Sequence, residues 1–289
     1  MLQDILITGL VNGGVYALLA IGFSLIFGVA RIVNIAHTAF YMLAAYCFYI
    51  LLVKAGLGFL LSALAAVAGT TLASLVCYRL VIEPVREHES AVLIATIALA
   101  LIFQETMLLS FGGNYLGIPS TLEGAVRLFG VSIPYQRVLI LVVAAAMLAL
   151  CWFILYRTRL GLAIRATAND LEIANLMGMN VHRVAMATVA LSVLLAAVAG
   201  VVVAPVFVVD PFMWLSPLVT MLAIVVLGGL GSLRGSLIGA LVIGYVEAIT
   251  VFAVPAGAYL KGAVALGIMV LVLLMRPEGL FGVAFEEER

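Results

Sequence analysis

The chain has 289 residues, of which 66% are hydrophobic and only 10% charged, with a mean hydropathy of +1.32 and a formal net charge of zero. A water-facing surface needs more charge than that, so the composition excludes a soluble globular domain and places the chain in lipid. No Lys/Arg-rich tract occurs, and the basic footprint of a nucleic-acid binder is missing with it.

Apolar runs of about 20 residues, the length that crosses roughly 30 Å of hydrocarbon at 1.5 Å per residue, recur from Ile5 to Met275. Membrane strands would alternate apolar and polar residues, whereas Val138–Leu155 is apolar on every side, so the runs predict helices. Charged or Pro/Gly-containing breaks divide them into spans near 5–30, 36–54, 58–82, 90–111, 136–156, 184–207, 214–228, 235–253 and 258–276. The expected fold is an all-α polytopic membrane protein, a single domain over 1–289 with eight or nine transmembrane helices.

The first run has no basic residue ahead of it and carries Asn12, Gly13 and Gly14 where a cleavage site would need a different pattern, so it is expected to stay as the first span. Small residues cluster in Gly9–Gly14, Gly22–Gly28 and Gly228–Gly244. Such clusters let helices approach closely or line a cavity, which makes the first and penultimate spans the candidates for a solute path. Asn12 would present an amide to a polar solute at a loosened turn, or bond to a neighbouring span.

Asn34 precedes the second run and is expected to cap that helix, with His37 anchored near the membrane boundary one turn later. Cys47, Cys77 and Cys151 lie within apolar runs without metal-ligand or redox spacing and read as small core residues. Glu105, beside Gln104, is expected near the outer end of its span. The loop Gly112–Gln136, with Gly112-Gly113-Asn114, Pro119, Ser120 and Pro134, would dock a soluble partner or plug the mouth. Glu247 lies deeper in its span; a pore-wall carboxylate and a carboxylate bonded to a neighbouring helix are both open readings.

The most informative stretch is Arg157–Arg183, too polar to span. From Leu162 to Met177 it has no Pro or Gly; Arg165, Asn169 and Glu172 make a polar stripe on a helix, and Ile164, Ala168 and Leu171 an apolar one. One short amphipathic helix is therefore predicted, with Gly161 before it and Gly178 as its left-handed C-terminal cap. A helix lying in the headgroups and a helix docked on a partner are equally compatible with this pattern.

One alternation of spans puts Arg31, Arg79, Arg86, Arg157, Arg159, Arg165, Arg183, Arg234, Arg276 and Arg289 on one side and Lys54, Arg127, Arg137 and Lys261 on the other. The excess favours an outside N-terminus and a cytoplasmic C-terminus. This requires Gly228–Gly235 to be a tight turn rather than a re-entrant tip. Neither lysine, Lys54 after Val53 nor Lys261 after Leu260, stands in a phosphate-cradling loop, so the chain is not expected to be an enzyme or to carry its own motor.

Several segments, in order, resemble the branched-chain amino acid permease type of ABC importer membrane subunit. They are Gly9-Leu10-Val11-Asn12-Gly13-Gly14-Val15-Tyr16-Ala17-Leu18, Val33-Asn34-Ile35-Ala36-His37, Glu83-Pro84-Val85-Arg86, Arg165-Ala166-x-Ala168-x-Asp170, and Leu176-Met177-Gly178-Met179-Asn180 with Arg183. Leu227-Gly228-Gly229-Leu230-Gly231-Ser232 and Pro277-Glu278-Gly279-Leu280 complete the set. The family pattern continues after the histidine with Gly and an acidic residue, where this chain has Thr38 and Ala39.

The resemblance implies that the 157–183 segment couples the spans to a cytoplasmic ATPase, through Gly161, Arg165, Ala168, Asp170, Glu172, Leu176, Gly178, Asn180 and Arg183. The residues themselves make Asn12, Gly13, Asn34, His37, Glu105 and Glu247 the candidates for the solute path, and the resemblance implies passage at the interface between two permeases. It also implies a homologous second permease, two ATPase subunits that bind ATP and Mg²⁺, and an extracytoplasmic solute-binding protein, assembled in the inner membrane of a bacterium or archaeon. No cofactor on this chain is implied. The solute is expected to be a branched-chain or other hydrophobic amino acid, with urea, short amides or aromatic carboxylates as same-family alternatives. A secondary transporter driven by an ion gradient is the other mechanism considered.

Overall fold

A computed structural model describes residues 2–119, 124–128 and 131–281, with the backbone alone at 127, 128 and 131. Ser120 and Arg289 lie outside the described residues. A chain in hydrocarbon must satisfy its backbone hydrogen bonds internally, and this one does so with helices. They are α1 (Leu2–Ala30), α2 (His37–Tyr49), α3 (Phe59–Cys77), α4 (Glu89–Phe111), α5 (Tyr135–Arg157), α6 (Arg159–Asn169), α7 (Leu171–Leu176), α8 (Val181–Val203), α9 (Leu215–Gly228), α10 (Leu233–Ala253) and α11 (Lys261–Met275). Wide π-type turns extend α2 to Lys54 and α3 to Ile82, and a 3₁₀ turn carries the latter to Val85.

Eight of these helices, among the described residues, are long and apolar enough to cross a membrane. The ninth apolar helix, α9, has 14 residues and reaches about 21 Å at 1.5 Å per residue, short of the hydrocarbon thickness. Residues 204–214 make up the difference as irregular chain, with Ala204, Val209 and Trp214 buried and Phe207, Val208 and Phe212 exposed, Val209 paired backbone to backbone with Leu116 and the Asp210 carboxylate accepting from Phe212 N at 2.8 Å. The loop Gly112–Gln136 therefore has structure of its own among its described residues. Beside that pairing it carries an antiparallel hairpin, β1 (Ala125–Leu128) and β2 (Val131–Pro134).

Burial grades the helices from the centre of the bundle outward, with 56% of the α2 span and 44% of α10 buried between the extremes. About 72% of the apolar window of α1, and the same share of α8, is buried, against 22% for α3 and α5 and 6% for the last span. Hence α1 and α8 form the centre and the others a ring around them. One core gathers α1, α5, α8, α9 and α10; the other packs α2, α3 and α4 on α8 through aromatic contacts such as Phe40–Phe103 at 5.3 Å and Phe48–Phe59 at 5.4 Å.

The α1–α10 contact explains one glycine cluster. A Cβ at Gly244 would stand 2.6 Å from the Gly13 nitrogen, and one at Gly13 would stand 3.1 Å from Leu241, so backbone meets backbone there. These glycines serve helix packing.

The helix ends near 30, 85, 157, 181, 228, 233 and 275 gather at one end of the bundle. Arg31 Nη2 donates to the Ala168 carbonyl at 3.3 Å, His182 pairs with Glu83, and Leu280 N donates to Leu227 O at 2.8 Å. The 228–235 segment is a tight turn in which Gly229 and Gly231 have φ of 95° and 80°, and Ser232 caps α10 by accepting from Gly235 N at 3.1 Å. The described arginines of the larger sequence group, from Arg31 to Arg276, thus share one end of the bundle.

Candidate functional site

The segment between α5 and α8 is built from caps. Thr158 is extended, with its hydroxyl donating to Ile154 O at 2.6 Å and accepting from Gly161 N at 3.1 Å, and this turns the chain sharply from α5 into α6. Gly161 sits inside α6, not ahead of it. A Cβ there would lie 2.2 Å from the Ile154 carbonyl oxygen, so only glycine lets α6 fold back on the end of α5.

The predicted single helix from Leu162 to Met177 is two helices. Asp170 is extended (φ −151°, ψ 115°), and its carboxylate accepts from Ile173 N at 2.9 Å, ending α6 and capping α7. An aspartate can offer the backbone this alternative without Pro or Gly. The stripe of Arg165, Asn169 and Glu172 is accordingly split, with Glu172 on α7.

Gly178 does cap the second helix. Its φ is 80°, its N–H donates to Asn175 O at 3.0 Å, and Met179 N reaches back to Ala174 O at 3.1 Å. Asn180 then starts α8 by accepting from Arg183 N at 3.0 Å.

The two short helices face different ways. The α6 face of Gly161, Ile164 and Thr167 is buried, and Ala168 packs near Gly28. On α7 only Ala174 is buried, while Ile173, Leu176 and Met177 are 58%, 85% and 77% exposed. Glu172 and Arg183 are exposed beside them. Between this segment and the end of α3 lies a cavity of about 680 Å³ lined by Tyr78, Arg86, Asn175 and Asn180, and bounded by the His182–Glu83 contact. An exposed apolar surface projecting from a polar end suits contact with a partner protein or with lipid headgroups alike.

The candidate solute-path residues do not converge on one chamber; most of them line up along α1. Tyr16 donates to Glu247 Oε2 at 2.7 Å, and Thr220 donates to Oε1 at 3.3 Å, which joins α1, α9 and α10 around a carboxylate that is 1% exposed. Half-buried Asn12 lies one turn earlier on the Tyr16 side of α1. Further along, Ser24 and Ser236 share a buried hydrogen bond of 2.6 Å.

His37 is not an interface anchor. It is fully buried, with Nε2 3.1 Å from the Leu19 carbonyl and Nδ1 3.4 Å from the Ser192 hydroxyl, which itself donates to Gly22 O at 2.6 Å. The cause is residues 31–36, which leave α1 with Arg31 at φ 55° and bring α2 in against the middle of α1 and α8. Nor does Asn34 cap α2. The residue at that position is Ala36, with no side-chain bond, and Asn34 Oδ1 is buried without a hydrogen-bond partner.

Glu105 stands apart, exposed on α4, and accepts from Gln104, whose own oxygen accepts from the Trp214 indole at 3.0 Å. Sequence reasoning missed Tyr16, Ser192 and Thr220 as polar partners. Hydroxyl-bearing residues inside apolar spans were the available signal, but the helix each would meet was not.

Residues 5–273 match the family described as branched-chain amino acid transport system / permease component. The chain is 34% identical to the high-affinity branched-chain amino acid transport system permease protein LivH of Escherichia coli (strain K12), over 95% of this chain and 93% of that one. It is 33% identical to the corresponding permease protein BraD of Pseudomonas aeruginosa, over 96% and 94%. Among solved structures, PsaBC from Streptococcus pneumoniae in complex with Fab has a TM-score of 0.52 at 18% identity, covering 97% of this chain and 93% of that chain, a likeness of fold.

Proposed function

The chain belongs to the branched-chain amino acid transport system permease family, and from that premise we infer that it is the membrane-spanning permease subunit of an ABC importer. The observation that carries this reading is the match along nearly the whole length to permeases of high-affinity branched-chain amino acid transport systems. Its solute is a branched-chain or other hydrophobic amino acid. Residues 1–289 form one permease domain, with 157–183 as its coupling segment.

ATP and Mg²⁺ act on two partner ATPases, and a second homologous permease and an extracytoplasmic binding protein complete the assembly in the inner membrane. The described arginines of the larger group at one end of the bundle support placing that end, with the coupling segment, in the cytoplasm. There α7 offers Ile173, Leu176 and Met177 to the ATPase, and Glu172, Asn180 and Arg183 border that surface. Ala168 accepts from Arg31, linking the segment to the end of α1, so a push on α7 reaches the central helix. Gly161, Asp170 and Gly178 set the corners of the lever, and Arg165 lies on its α5 side, over the Tyr156 ring.

The solute passes along the surface that half-buried Asn12 on α1 borders, at the junction with the second permease, while Gly13 is turned into the α10 contact. Glu247 and His37 hold α1 in place beneath that surface. Neither Asn34 nor Glu105 is part of the joined set on α1.

Purification from native membranes in mild detergent tests the reading. Two co-purifying ATPases and a second permease, with leucine uptake in proteoliposomes that requires ATP, are expected. Uptake by the lone chain down a proton or sodium gradient would overturn the mechanism, and ATP-driven uptake of urea, an amide or an aromatic carboxylate in place of leucine would overturn the solute class alone.

A further inference from the structure

A cleft of about 330 Å³ opens between α1, the end of α5, α6 and the start of α10. Its wall includes Ser24, Tyr156, Arg165, Asn169, Ser232 and Arg234, and no carboxylate lines it. The acids at the same end are engaged or elsewhere. Asp170 caps α7, Glu83 pairs with His182, Glu87 lines the cavity beside α3, Glu172 is exposed on α7, and Glu278 lines an adjoining cavity with Arg31 that shares Gly28, Ala168, Asn169, Gly231 and Ser232 with this cleft.

The position of Arg165 bears on what the cleft holds. Its guanidinium lies over the Tyr156 ring, 4.9 Å from the centroid, and so stays against α5. Tyr156 packs in turn on Trp152 with ring centroids 5.4 Å apart. Trp152 and Phe153, 59% and 54% exposed, continue the surface along α5 toward the middle of the span. Tyrosine and tryptophan settle at the headgroup level of a bilayer, which sets the two arginines at phosphate depth with an apolar wall next to them.

We propose that this cleft holds the phosphate headgroup of an anionic phospholipid, with its acyl chains lying along Trp152 and Phe153. Guanidinium groups present paired donors to phosphate oxygens, and a basic pocket between spans at this depth suits an anionic lipid. The lipid would steady the corner from which the 157–183 segment leaves α5.

The test uses the purified full chain in mild detergent, with phosphatidylglycerol and phosphatidylcholine of the same acyl composition titrated in and counted by native mass spectrometry. Phosphatidylglycerol is expected to be retained in preference. A double Arg165→Gln, Arg234→Gln variant is expected to weaken it about twenty-five-fold, at roughly fivefold per arginine, while the double lysine variant keeps most of the binding. Equal retention of the two lipids, or unchanged binding in the glutamine variant, would overturn the proposal.

So would displacement by inorganic phosphate as effective as by lipid, which would mark a site for free phosphate. Arginine dependence appearing only when an ATPase subunit is added would assign Arg165 to protein docking and overturn it as well. If the double variant does not purify as a monodisperse species, Arg234→Gln alone decides, with a loss of about fivefold expected and no loss overturning the site.

Discussion

The Tyr16 hydroxyl reaches the Glu247 carboxylate across 2.7 Å, although 231 residues separate them in the chain, and together with the Ser24–Ser236 bond it ties the first helix to the penultimate one. With the hydroxyl removed, Thr220 alone at 3.3 Å would remain to a carboxylate that is 1% exposed. Tyr16→Phe is therefore expected to destabilise the protein by about 1–2 kcal/mol, read as a lowered melting temperature in detergent. Glu247→Gln, whose single carbonyl oxygen still accepts from one hydroxyl while its NH2 can donate to the oxygen of the other, should cost less. A Tyr16→Phe protein of unchanged stability but reduced uptake would instead place the carboxylate on the solute path.

A second prediction concerns the close approach of α1 and α10. A side chain at Gly244 has nowhere to go, with Gly13 N and Cα within 2.7 Å of the added Cβ, so Gly244→Val must part the helices or distort them. Overpacking at a backbone contact costs about 1–3 kcal/mol or more. Folded protein recovered from the membrane should fall several-fold, while Gly267→Ala, where nothing lies within 4 Å, should leave it unchanged. Equal yields from the two variants would mean that α1 and α10 do not pack this way.

What could be read in advance follows the physics of each level. Spans were legible because hydrocarbon demands long apolar helices, and Gly178 because a left-handed cap leaves a local signature. The break at Asp170 was not, since an aspartate on a polar stripe suits a helix surface as well as an N-cap, and only the extended backbone decides. His37 was misplaced for a different reason. Its depth depends on the path of residues 31–36, and its partners Leu19 and Ser192 come from two other helices, which no local pattern specifies. Likewise the bonded reading of Glu247 needed Tyr16 and Thr220 brought in from α1 and α9.

His37 offers a third prediction. The ring fills a fully buried site beside Phe23, edge-on at 6.3 Å, and a Cβ on Gly22 would already stand 3.0 Å from it. His37→Ala leaves a cavity and strips Ser192 of one partner, so a loss of about 2–4 kcal/mol is expected. His37→Gln, of similar reach and still able to meet the Leu19 carbonyl, should recover a good part of it. Were the histidine an exposed membrane-boundary anchor, both variants would melt like the wild type.

The last prediction separates the shape of the coupling segment from its surface. Asp170→Ala removes the cap on α7, at about 1 kcal/mol, and frees α6 and α7 to run on as one helix, which would swing Ile173, Leu176 and Met177 away from their present direction. Gly178→Val opposes the 80° φ that ends α7, where a β-branched residue is a steric outlier, whereas Gly178→Asn tolerates the left-handed region. In proteoliposomes containing the whole importer, Asp170→Ala and Gly178→Val are expected to hydrolyse ATP with uptake reduced several-fold, and Gly178→Asn to stay coupled. Membrane insertion should be normal in all three, because the span cores are untouched. Coupled uptake in Gly178→Val at the wild-type level would mean that the corner at Gly178 transmits nothing, and the docking surface on α7 would then have to act without a fixed direction.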